Sequence, residues 1–275
     1  MSKINKTIIY ILTISFHFIY AHSGAICPFD DVIERKIKAF PDYEYLYQYT
    51  FEAAKQAAKS EQLREDILYL PVVFHIVYNN DNQNISDDVI QSQLDVLNAD
   101  FRRLNENAIN TREQFLPFAA DTKIEFFLAT EDPDGNPTTG ITHNYTSRSG
   151  FDYISFEDFF TGEITLDEVK SSSTGGVDAW DTESYINVWV CNVQESFLGQ
   201  VLGFAYPPIN VDLALESLDW DTTPDWSGLG LDVLSPNLQG IVLHYTTVGP
   251  NNPQADADGF SENNYGKTLI HEIGH

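Results

Sequence analysis

Leu70–Phe101 reads LPVVFHIVYNNDNQNISDDVIQSQLDVLNADF. Its first nine residues, Leu70–Tyr78, are almost continuously apolar and β-branched, the pattern of a central strand covered on both faces. His75 lies inside that run and is read as a satisfied core histidine rather than a ligand. The polar stretch Asn79–Asn84 is a turn, after which Ser86 is placed to cap a helix. Asp87 and Asp88 then fall in the first helical turn, where carboxylates favour the positive end of the helix dipole. Ile90, Leu94, Leu97, Phe101 and Leu104 recur at alternating steps of four and three, one apolar stripe facing a core.

Working outward, four more strands are expected: Lys123–Thr130 (KIEFFLAT), Tyr185–Asn192 (YINVWVCN), Val201–Tyr206 (VLGFAY) and Gly240–Val248 (GIVLHYTTV). VLGFAY is short and runs into Pro207 and Pro208, which places it at a sheet edge, because proline cannot donate to a ladder. His244 is read as a core or rim residue. EDPDGNP (131–137) resembles the opening of a Ca²⁺ loop but lacks the spacing to a terminal glutamate, and an Asp-Gly turn is the simpler reading. STGGVDAWD (173–181) is a glycine-hinged loop, and a polar loop leads into the last helix. The order is strand, helix, strand, strand, edge strand, strand, helix, which argues for an α/β (α+β) sandwich.

The N-terminus has the form of a signal peptide, assigned to residues 1–23. Lys3 and Lys6 give a positive start, Ile8–Tyr20 an apolar run, and Ala21, Ser23 and Ala25 small residues for cleavage. The run is short for a membrane anchor, so export is expected, with no stable membrane association after cleavage and an extracellular location. Residues 24–66 read as a pro-segment or N-terminal extension. Within them Phe51–Arg64 has good helix formers and little apolar surface.

The chain carries 15 basic and 41 acidic residues, a formal charge of −26. That balance argues against nucleic-acid binding and against attraction to anionic membranes. Acidic faces are in most cases simply solvated; a minority reading assigns some carboxylates to Ca²⁺. A content of 43% hydrophobic residues is enough to bury a core, so disorder is not the default.

Chemistry concentrates in Lys267–His275, KTLIHEIGH. His271 and His275 are four apart, so a helix stacks them on one face, where two imidazoles can hold a tetrahedral Zn²⁺. Glu272 beside them is placed as general base toward a metal-bound water. The blander alternative is an exposed helix end bearing two histidines. A zinc hydrolase needs a further protein ligand, which is expected beyond His275, so the chain is read as the front part of a longer metallopeptidase. HExxH does not by itself choose among zinc hydrolases, and the only methionine here is Met1, so the 275 residues contain no Met-turn.

There are two cysteines, Cys27 and Cys191, and spacing does not show whether they pair. Cys191 sits in an apolar strand pattern and reads as a buried small hydrophobe. Cys27, near the mature N-terminus, has three readings: a thiolate capping the zinc in a latent form, a free thiol, or half of a disulfide.

Six stretches in order resemble the pappalysins, in their bacterial cytophagalysin branch of the metzincins. They are LPVVFHIVYNN, NISDDVIQSQLDVLNADFRR, IEFFLATEDPDGNPTTGI, GGVDAWDTESYINVWVCN, LGFAYPP and TLIHEIGH, spanning Leu70–His275. The resemblance implies a secreted zinc endopeptidase made with a pro-segment and acting on peptide or protein substrates. It implies a metzincin-like upper subdomain over 67–275, a twisted five-stranded mixed sheet with an antiparallel edge strand and two long helices, the lower subdomain missing. His271 and His275 match zinc ligands and Glu272 the general base. The family's third histidine, its glycine turn and its Met-turn tyrosine have no counterpart here. Leu202, Gly203, Phe204 and Ala205 match the edge strand whose backbone would pair with an extended substrate. Latency through a pro-segment cysteine falls on Cys27, although Pro28 and Phe29 follow it in place of the family's glycine context. Calcium is common in the family. The chain by itself is expected to be inactive. A second reading is a secreted, non-catalytic peptide-binding module or a pseudogene product.

Overall fold

The computed structural model describes residues 25–39, 42–60, 66–155, 158, 164–196, 199–207, 236–255, 257 and 265–275. The leader assigned to residues 1–23 and much of the polar loop before the last helix lie outside the described residues.

Leu68–Tyr78 (β2) is the axis of the fold, eleven residues long with Val72–Val77 buried without a break. Burial on both faces follows from its neighbours. Ile186–Cys191 (β6) runs parallel along one side, pairing Val72 with Ile186 through Ile76 with Val190. The other side is shared by two collinear parallel strands, Ile124–Leu128 (β3) against the first half and Ile141–Tyr145 (β4) against the second. Gly240–His244 (β10) continues the sheet parallel to β6, and Gly203–Tyr206 (β9) closes it antiparallel to β10. The result is a mostly parallel, six-stranded sheet with an antiparallel edge strand.

The sheet is five strands wide, as expected, but a sixth strand, β4, was not anticipated. Its sequence, ITHNY, has no apolar run, and none of its residues is fully buried. Two expected strands also stop early. The fifth ends at His244 and turns into a 3₁₀ segment, Tyr245–Thr247, while the VLGFAY stretch divides into Gln200–Val201 (β8) and β9.

Pleating sends alternate side chains to two cores. Val72, Phe74, Ile76, Val188, Val190, Ile241, Leu243 and Ala205 face one layer, where the helix Asp87–Phe101 presents Ile90, Leu94 and Leu97. Each such buried aliphatic side chain contributes about 1.5–3 kcal/mol. Leu104, the expected last member of the stripe, is 74% exposed instead. The helix ends at Phe101 and Arg103 takes a left-handed φ of 54°, which swings the chain off the stripe. Ser86 holds the N-cap position without a side-chain cap bond; its backbone carbonyl accepts from Val89 N–H at 3.0 Å. The opposite face buries Val77, Trp189, Cys191, Val242, Phe204 and Tyr206 with Phe151, Tyr153, Leu166, Val169 and Val32.

His75 is fully buried on that second face, with Nε2 3.0 Å from Asn187 Oδ1 and Nδ1 3.0 Å from Thr142 Oγ1. It is a core histidine, and burial lowers its pKa to about 4. His244 is buried, with Nδ1 2.8 Å from Thr246 Oγ1. The 131–137 stretch is an Asp-Gly turn closed on itself: Asp132 accepts from the backbone N–H groups of Asp134 and Asn136.

Ahead of the sheet, Ala25–Ile26 (β1) pairs parallel with β8, and a separate short pair joins Phe151–Asp152 (β5) to Val193–Gln194 (β7). Helix α1, Phe29–Ala39, and helix α2, Asp42–Ser60, follow. Helix α3 is Asp87–Phe101, and α4, Lys267–Ile273, carries the HExxH histidines. Helical structure in the Phe51–Arg64 stretch reaches Ser60. Helix α1 packs against β9. Its Asp31 accepts from Tyr153 OH at 2.8 Å, and its Lys36 lies 3.7 Å from Asp167 and over the Tyr206 ring. No helix among the described residues is long and apolar enough to cross a membrane.

Candidate metal centre

Helix α4 has two turns, too few to hold its own position in water. Its apolar side fixes it: Leu269 is fully buried in the helix-covered core, and Ile270 and Ile273 pack against that core. Lys267 reaches Asp100 of α3 at 2.5 Å. With that face committed to the sheet, His271 and His275 must face outward together. Their Nε2 atoms lie 3.1 Å apart.

A third donor arrives from the far end of the chain. Cys27 Sγ lies 3.2 Å from His271 Nε2 and 3.4 Å from His275 Nε2. Cys27, His271 and His275 form the group among the described residues whose ligand atoms could share one metal ion. The set fits a tetrahedral thiolate–imidazole site, in which metal–ligand bonds of 2.0–2.3 Å put donors roughly 3.3–3.6 Å apart. Cys27 is directed there by its neighbours. β1 aligns the segment beside β8, and Phe29 stacks on the His275 ring at 4.0 Å and 6°. Spacing along the sequence could not have shown this convergence, and Cys27 is not disulfide-bonded to Cys191, which is buried in the other core.

Glu272, one residue after His271 and three before His275, lies beside the pair and reaches the edge strand, where it meets Gly203. Glu272 is 3% exposed, and its Oε2 has no hydrogen-bond partner among the described residues. Burial raises its pKa to about 8. Burial also pushes the Cys27 thiol up, partly offset by the backbone N–H of Phe29. Burial, then the neighbouring His271, lowers His275. A bound cation reverses the order of such preferences, since a coordinating thiol is deprotonated outright.

The edge-strand residues border this centre. Gly203 faces Glu272, whereas Phe204 points into the opposite core. Leu202 differs from the expectation of a free backbone: its carbonyl accepts from His244 N–H at 2.9 Å. β9 pairs only with β10 among the described residues. A pocket of about 200 Å³ opens beside Glu272 and His275, lined in part by Tyr185, Ala205, Gly240 and Ile273. Sequence reasoning named none of these as pocket residues except Ala205, because the pocket joins the ends of three strands with the end of α4.

No protein-family model and no curated protein sequence matches the chain. Solved structures do. Mirolysin in complex with compound 9, and mature mirolysin of Tannerella forsythia in complex with a cleaved peptide, are each 37% identical to it with a TM-score of 0.57. Both matches cover 77% of this chain and 63% of theirs. A Glu-to-Ala mutant of Tannerella forsythia promirolysin is 34% identical with a TM-score of 0.63, covering 89% of this chain and 66% of its own. The chain therefore spans about two thirds of the length of these proteins or slightly less. Mirolysin is a metallopeptidase, so the likeness implies a metal, and the architecture is that of a metzincin-like upper subdomain. By fold, by sequence identity and by the donors gathered at its HExxH helix, the chain is a relative of a metallopeptidase.

Proposed function

We propose that this chain is part of a secreted zinc-dependent endopeptidase of the pappalysin type, captured in a latent arrangement. His271 and His275 hold the zinc, and Cys27 supplies a thiolate that occupies a position needed by water. Zinc bound there would lower the pKa of a water molecule and polarise a scissile carbonyl. Glu272 would take the proton from the attacking water and deliver it to the leaving amine, as its burial beside the two ligands suits. Residues 24–66 act as the pro-segment. β1 lies alongside β8, next to the edge strand at which an extended peptide would pair, and so blocks the approach.

The observation that carries this reading is the convergence of Cys27 with His271 and His275, at 3.2 and 3.4 Å, across almost the whole chain. Greater coverage by the pro-form of mirolysin than by the mature form, 89% against 77%, supports the assignment of the N-terminal residues.

The test is metal content and peptide cleavage by the purified protein. One zinc per chain, removable by a chelator, and no cleavage by the chain alone are expected. A protein that binds no zinc would overturn the metal assignment, and vigorous chelator-sensitive cleavage by the chain alone would overturn the latency. Capture of an extended peptide without zinc would favour the non-catalytic binding module.

A further inference from the structure

Gln93 of α3 is a polar side chain with no solvent exposure, and its amide is used at both ends. Its Nε2 donates to the carbonyl of Gly266 at 2.9 Å, and its Oε1 accepts from the backbone N–H of Gly249 at 2.9 Å. Gly249 follows the last sheet strand and its 3₁₀ turn, and Gly266 is the N-cap residue of α4. One amide therefore joins the two ends of the chain excursion that separates the sheet from the metal-binding helix.

Both junctions are shaped to let α3 come this close. Gly249 and Gly266 have φ values of 70° and 65°, where only glycine is at ease. A Cβ on Gly249 would meet Val89 O at 2.5 Å and Ser92 Oγ at 2.6 Å, and one on Gly266 would meet Gln93 Oε1 at 2.9 Å. Gly266 offers no side-chain cap, so apart from the packing of Leu269 and the Lys267–Asp100 pair the start of α4 is held by Gln93. A buried amide is costly unless satisfied, and Gln93 is satisfied only if both junctions are in register.

We infer that Gln93 is a positioning residue for the metal centre: by bonding Gly266 and Gly249 together it sets the origin of α4. His271 lies five residues past Gly266, about 7.5 Å along the helix axis, so a shift at the start is carried to the imidazoles with little to absorb it. The inference rests on the metal-centre reading above. Partners bonded directly to the ligands change metal affinity by about 10–100-fold, and Gln93, one step further out, is expected to act at the lower end, about tenfold.

The test uses the whole chain, with Co²⁺ as a spectroscopic stand-in for zinc. Gln93→Leu removes both bonds, and Gln93→Glu keeps the acceptor for Gly249 while setting an oxygen against the Gly266 carbonyl. Leu97→Ala, on the same helix and in the same core, controls for lost stability. Both Gln93 variants are expected to weaken Co²⁺ binding about tenfold and to shift its ligand-field bands. Leu97→Ala should lower Tm while leaving affinity and bands near those of the wild type. Gln93 variants that bind Co²⁺ as the Leu97→Ala control does would overturn the inference and leave the metal centre standing. Failure of the wild type to bind Co²⁺ would overturn both. Should Gln93→Leu not fold, Gln93→Glu, which retains the Gly249 bond, decides the comparison.

Discussion

Gly203 and Glu272 are in such close approach that a Cβ on Gly203 would stand 2.6 Å from Glu272 Oε1. The edge strand and the proposed general base thus share space that only a missing side chain leaves open. Thr268 Cγ2, at 2.7 Å from the same point, closes the other side. Gly203→Ala is expected to destabilise the protein by about 1–3 kcal/mol through overpacking. Adding Glu272→Ala should return part of that loss, because the two changes act on one contact and do not add. Thermal unfolding of the two single variants and the double variant measures the coupling; strictly additive losses would show that the two residues do not compete for the space.

Removing the thiol should change the metal centre and little else. Cys27→Ser is expected to abolish the thiolate-to-metal charge-transfer band of the Co²⁺-loaded protein and to weaken binding by roughly tenfold or more, since a soft anionic ligand is lost. Cys191→Ser, in the opposite core, should keep the band. An unchanged spectrum in Cys27→Ser would remove Cys27 from the metal centre.

Phe29 holds the N-terminal segment over the site through its stack on His275, 4.0 Å between ring centroids. Stacked aromatic pairs contribute about 0.5–1.5 kcal/mol, so Phe29→Ala should open the segment about 2–12-fold more often. In the metal-free protein, Cys27 should react faster with a thiol reagent by a similar factor. Phe51→Ala, an exposed side chain on α2, is the comparison and should leave the rate unchanged.

Acid should unfold the protein partly through His75. Burial depresses its folded-state pKa to about 4, below the ordinary value of 6.5. As pH falls through 6.5 the unfolded chain takes up a proton that the folded chain refuses until about 4. Stability is therefore full above the unfolded value and falls through that window, by up to about 1.4 kcal/mol per pH unit. The Tm of His75→Gln should decline less steeply than wild type between pH 6.5 and 4.5. Parallel declines would assign the acid sensitivity to other groups.

The apolar runs at Leu70, Tyr185 and Gly240 were legible because a strand covered on both faces has to be apolar throughout, whatever its neighbours are. The α3 stripe was legible for the same kind of reason as far as Phe101; only the turn at Arg103, a local backbone choice, removed Leu104 from it. β4 was not legible, since it joins the sheet through backbone bonds along the free half of β2 and needs no hydrophobic pattern. Helix α1 was equally hidden: Lys36, a charged residue, is one of the positions it buries, and the Asp167 carboxylate that accompanies it lies far along the chain.

At the site, the sequence by itself determined the stacking of His271 over His275, because a four-residue step on a helix allows no other arrangement. It also determined that Glu272 sits beside that pair, about 100° round the helix from His271 and within one turn of His275. What only the tertiary structure decided is which partners meet them. Cys27 and Phe29, Gly203, and Gln93 reach α4 from three separate stretches, and pairing across such distances is set by how the sheet and α3 pack, not by spacing along the chain. The carboxyl of Glu272 acquires its raised pKa through burial in the folded chain, where the edge strand at Gly203 packs against it.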